Sequence, residues 1–178
     1  MYVEAAALDK SSLFQGDILI DVQMLGVISI AAISFATDSQ GTRNGWMVSQ
    51  KPDFGAAIVL SHSCEIDRDN LVKVTSIILA PLRDINKTTK PEKIQEIIES
   101  NDITEQLTFS YLKYFYLSPY EAIGFPSGAV VDFSKCFSIR NKSYDLLLQQ
   151  KRAQLLEHNA DSMARKLALY FYRTSTAA

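Results

Sequence analysis

Runs of apolar, β-branched residues broken by turn-forming clusters fill the first half of the chain. "GDILIDVQM" (16–24) and "VISIAAISF" (27–35), separated by Leu25 and Gly26, predict two strands. The turn-rich "TDSQGTRNG" (37–45) leads to a short strand at "WMVSQ" (46–50), which "KPDFG" (51–55) breaks. "AAIVLSHSC" (56–64) is the most apolar strand start. The polar turn "EIDRDN" (65–70) separates it from a returning strand, "LVKVTSIILA" (71–80), stopped by Pro81.

Residues 82–110 change character. Pro91 suits the first turn of a helix carrying Ile94, Ile97 and Ile98 on one face. Asp102 followed by Glu105 has the spacing of a capping box and predicts a second short helix. Strands return at "LKYFYLSP" (112–119) and "AVVDFSKCFSIR" (129–140). Ser143 can cap a helix containing Leu146, Leu147, Ala153 and Leu156; "EHNAD" interrupts it, and a last helix carries Met163, Leu167, Tyr170 and Phe171. Many short strands finished by helices predict a mainly β, α+β fold. The expected form is a small β-barrel with a helical insertion at about 84–110 and C-terminal helices.

The chain of 178 residues suits a single domain spanning 1–178. The longest apolar stretch, "GVISIAAISFA" (26–36), is shorter than the roughly 20 residues a bilayer needs, so no membrane is expected. No charged-then-apolar leader opens the chain, and a cytoplasmic location is the expectation. Cys64 and Cys136, the only two cysteines, read as reduced thiols.

The net charge of −2 argues against a strongly basic nucleic-acid binder. Residues 135–178 nevertheless hold eight Lys/Arg against three acids, an excess that either serves an anionic partner or sits on solvated helix faces. Lys135, Arg140 and Lys142 are the basic candidates for nucleic-acid contact. Tyr114 and Tyr116 share a strand face and could stack on unpaired bases or pack across strands.

"SHSCEID" (61–67) is where the chemistry concentrates. If the strand runs to Cys64, alternation puts Ile58, Leu60, His62 and Cys64 on one face. His62 and Cys64 can then meet as base and nucleophile, or both can be core residues. A general acid–base reading pairs His62 with Glu65 or Asp67, with Arg68 holding a phosphate. Zinc-type spacings are missing, so no metal is expected. No Gly-rich phosphate loop or G-x-S-x-G occurs, so no cofactor is expected either.

The order "F-x-G-D-I", the buried "AIVLS", the strand ending "APL", and "VVDFSKCFSIRNKS" before a closing helix resembles the MazF/PemK family of bacterial toxins. The resemblance implies an SH3-like barrel, RNA cleavage, a homodimer and an antitoxin partner, with Ser61 near the reaction centre. The family's Arg-Pro pair should precede "AIVLS"; Phe54 and Gly55 stand there instead. The expected function is accordingly an RNA- or partner-binding module of a bacterial stress or phage-defence system. An active endoribonuclease using His62, Glu65 and Arg68, and a cysteine enzyme using Cys64 and His62, are the alternatives.

Overall fold

A computed structural model describes residues 1–24, 28–35, 43–50, 53–67, 69–71, 73–102 and 111–176, with side chains for all but 28–35, 43–50 and 173–176. The chain divides into two compact units: residues 1–22 with 56–178, and residues 23–55. In the smaller unit, β2 (Ile28–Phe35) and β3 (Arg43–Gln50) pair antiparallel, in unbroken register from Ile28↔Gln50 to Phe35↔Arg43.

The larger unit is an α+β fold built on one curled, mostly antiparallel sheet. Its strands are β1 (Asp17–Met24) as far as Val22, β4 (Asp53–Val59) from Ala56, β5 (Ser76–Asp84), β6 (Tyr114–Leu117), β7 (Ala129–Asp132), β8 (Phe137–Arg140) and β9 (Lys151–Gln154). They hydrogen-bond in the order β6–β7–β5–β4–β1–β9, and β8 also pairs with β5. One helix, α5 (Glu157–Thr176), contributes Met163 to the core. That core joins Ile18, Ile58, Phe115, Val131 and Phe133, all buried, so the apolar face of each strand goes where the pattern sends it.

Pro81 lies inside a strand rather than ending one. β8 pairs with β5 up to Leu79, and β7 takes over from Leu82. Pro81, which has no N–H, falls between the two partners on this side of β5, while on the other side it stands opposite Ala57 of β4. The same corner breaks the expected strand over 129–140 into β7, a 3-10 turn at Phe133–Lys135, and β8.

The excursion after β5 is helical: α2 (Ile85–Thr88) and α3 (Pro91–Glu99), with Pro91 in the first turn. Ile97 of α3 meets Ile85 and Val130, and Ile94, Tyr114 and Tyr116 pack around them. The helix proposed on Asp102 and Glu105 lies outside the described residues.

The expected helix from Ser143 is shorter than its pattern. α4 (Tyr144–Gln150) stops at Gln150, and β9 then pairs with β1. "EHNAD" does not interrupt a helix; it opens α5.

Two of the C-terminal basic residues are buried, not solvated: Lys151 and Lys166. Lys166 of α5 donates to Ser100 Oγ at 2.7 Å, and that hydroxyl donates to Ile97 O at 2.7 Å, which fastens α5 to the end of α3. Burial pushes the Lys166 ammonium down to about 7, against the opposing charge of Asp102. A base depressed on folding adds stability above its unfolded value of 10.5 and loses it as pH falls through about 7. The unfolding free energy measured by urea titration therefore rises from pH 7 to pH 9, by up to about 1.4 kcal/mol per pH unit for one proton. Lys166→Met removes that rise; an unchanged slope in the variant refutes the assignment.

Candidate functional site

β4 ends at Val59, before the residues that carry the chemistry. Leu60 N still donates to Ile78 O at 2.9 Å, and Ser61 Oγ accepts from Ile78 N at 2.9 Å, so a hydroxyl closes the last rung of the ladder. Ser61 is buried, and its hydroxyl anchors the end of the ladder.

The chain then turns into a short helix, α1 (Ser63–Ile66), with His62 as its N-cap. Strand alternation does not reach Cys64, and neither His62 nor Cys64 faces the core: both are exposed. They meet through the cap. His62 Nδ1 lies 2.9 Å from Cys64 Sγ and 3.4 Å from the Cys64 backbone N. The backbone N–H of Cys64 leans weakly on Nδ1, and the direction of the Nδ1–Sγ hydrogen bond follows the ring tautomer.

A strap over residues 12–16 backs this corner. Gln15 N donates to Ser63 Oγ at 3.1 Å, and Gln15 Nε2 donates to Leu60 O at 2.8 Å. Gly16 N donates to Val59 O at 2.9 Å. Gly16 has φ +88, and a Cβ there would meet Ala160 Cβ at 3.1 Å and Leu155 Cβ at 3.2 Å. Gly16→Ala should cost about 1–3 kcal/mol through the left-handed backbone and the crowding together. Thermal unfolding measures it, and a variant as stable as the parent refutes it.

Two clefts flank the pair. One, of about 510 Å³, is lined by His62 and Ser63 with Phe14, Gln15, Glu157 and Asp161 among its walls. The other, of about 360 Å³, is lined by Cys64, Ser63, Asp67, Phe14, Leu13 and Ser12. Phe14 and Ser63 belong to both. Among the described residues no Lys or Arg lines either cleft.

A scan against protein-family models matches none of them, and comparison with curated proteins gives no significant match. The geometry therefore stands as the basis for function.

The other sequence-predicted residues are placed as follows. Glu65 is exposed on α1, its N–H donating to His62 O at 2.9 Å. Asp67 caps the end of α1, and Arg68 lies outside the described residues. Asn70 Nδ2 donates to Cys64 O at 2.7 Å and ties the turn to the helix. Lys135, Arg140 and Lys142 are exposed around β8, away from the residues lining the two clefts. Tyr114 and Tyr116 are half-buried and pack in the cluster beneath α3. Cys136 is half-buried; burial first, then the charge of Asp132, pushes its thiol up to about 11. No group of three or more His, Cys, Asp or Glu among the described residues is arranged to hold a metal ion. No helix among them is long and apolar enough to cross a membrane.

Sequence reasoning missed Phe14, Gln15, Glu157 and Asp161. They come to the site from 46 or more positions away in the chain, and nothing in their local spacing marks them.

Proposed function

We propose that this protein is a thiol-dependent acyl-transfer or hydrolytic enzyme in which Cys64 is the nucleophile and His62 its base. The observation that carries this reading is the 2.9 Å contact between Cys64 Sγ and His62 Nδ1 on two exposed residues that line adjacent clefts. Nδ1 takes the thiol proton as Sγ attacks the acyl carbon. The bond to the leaving group breaks, and the imidazolium returns the proton to that group. Water, activated by the same nitrogen, then releases the acyl product from the thioester.

Glu157 and Asp161 on the His62 side suit a neutral or cationic substrate better than a polyanion. The scaffold is read as a barrel of the MazF/PemK kind, supported by the curled sheet and the closing helix. With Phe54 and Gly55 in place of Arg-Pro, its chemistry is thiol-based and not RNA-cleaving. Two free cysteines suit a reducing compartment.

The test is iodoacetamide labelling of the native protein at pH 7, with free cysteine in the same buffer as reference. Cys64 reacts several-fold faster than free cysteine. A rate no faster sinks the proposal.

A second reading, a nucleic-acid surface on the edge strand β8, is favoured by the exposure of Lys135, Arg140 and Lys142. Short RNA whose binding weakens steeply with salt supports it; absence of binding at low salt removes it.

A further inference from the structure

We propose that the buried Asp17–Lys151 ion pair is a positioning device for the Cys64–His62 pair, acting through the strap of residues 12–16. The inference rests on the thiol reading above and deepens it.

Lys151 Nζ lies 2.7 Å from Asp17 Oδ2, and neither side chain has any exposure. Each partner also holds a backbone group of the strap. Lys151 Nζ donates to Ser12 O at 3.1 Å, and Asp17 Oδ2 accepts from Phe14 N at 2.7 Å. Lys151 Nζ also stands 5.0 Å from the centre of the Phe14 ring. Asp17 Oδ1 is buried with no hydrogen-bond partner among the described groups.

Such a pair is a poor device for stability alone. Taking both charges out of water costs several kcal/mol, and well-packed apolar residues of similar volume often serve as well or better. The orphaned Oδ1 adds to that cost. What an apolar pair cannot do is hold a carbonyl at residue 12 and an N–H at residue 14 at once. The ion pair does both, and so fixes the strap from beneath.

From above, the same strap grips the reactive corner. Gln15 N reaches Ser63 Oγ, the residue between His62 and Cys64, and Gln15 Nε2 reaches Leu60 O. Phe14, whose N–H the ion pair holds, forms a wall shared by both clefts. The route thus runs from Lys151–Asp17 by hydrogen bonds to Ser12 and Phe14, along the backbone to Gln15, and by the Gln15 N–Ser63 Oγ bond to the residue between His62 and Cys64.

Two variants test this route. Asp17→Leu combined with Lys151→Met replaces the pair by apolar groups and leaves the strap without its lower anchors. Ser63→Ala keeps the ion pair and cuts the last link. Each is checked for a cooperative urea transition, and then read by amide hydrogen exchange at residues 12–16 and by the pH profile of Cys64 alkylation. The double variant is expected to exchange at least tenfold faster at Phe14 and Gln15 and to give an alkylation profile that follows free cysteine. Ser63→Ala is expected to give the same change of profile with exchange at Phe14 unchanged.

A folded double variant with the parent's exchange and profile overturns the proposal. Should the double variant fail to fold, an unchanged profile in Ser63→Ala overturns it by itself. A parent protein whose Cys64 already behaves as free cysteine sinks the thiol reading and this inference with it. An activated Cys64 that both variants leave unchanged sinks only the positioning role.

Discussion

His62→Ala slows the alkylation of Cys64 by iodoacetamide at pH 7 about tenfold, and Cys64→Ser abolishes it. The thiolate is the reacting species, and an ordinary cysteine is only a few per cent thiolate near neutrality. In the proposed mechanism the nitrogen 2.9 Å from the sulfur takes the thiol proton as the sulfur reacts. Removing the ring removes the group that takes that proton.

The background is low. Cys136 is half-buried with its thiol pushed up to about 11, so it contributes almost no label at pH 7. The substitution spares the fold. His62 is exposed, and the cap its side chain gives Cys64 N, at 3.4 Å, is too long to contribute much. Equal labelling rates in parent and His62→Ala would remove the assigned base.

Lys151→Met destabilises the protein by about 3–5 kcal/mol, because it leaves the carboxylate of Asp17 buried without a cation. The deficit depends on pH, and its sign follows from Asp17. Burial drives that carboxyl up to about 7, against the lowering effects of the Lys151 ammonium and the Phe14 N–H. A carboxyl raised on folding contributes stability that is complete below its unfolded value of 3.8 and is lost as pH climbs through about 7. Protonated Asp17 has little need of a cation; ionised Asp17 needs one. The Lys151→Met deficit is therefore smaller at pH 5 than at pH 8, as urea unfolding at the two values would measure. A deficit below about 1 kcal/mol, or one that does not grow with pH, refutes the charge-pair account.

Much of the fold was legible in the residue pattern. The strands at 17–24 and 28–35 and the helix starting at Pro91 lie within a residue or two of their expected places, because alternation and capping act locally. The departures share a cause. β5 runs through Pro81 because its partner changes there, and the helix after Ser143 stops so that 151–154 can pair with 17–19. Each is a tertiary hydrogen-bond demand overriding a local preference.

The candidate site divides along the same line. The chain by itself marked "SHSC" as the place where nucleophile and base stand two residues apart, and it predicted a fold of short strands closed by helices. Contact between His62 and Cys64 came from a capped turn, not from a strand face. The walls of the clefts came from residues 12–15 and the start of α5. Spacing along a chain fixes which side chains share a local face. Which distant segments supply the remaining walls, and whether a buried charge finds its partner, depends on how the sheet closes its hydrogen-bond ladder and buries its apolar face.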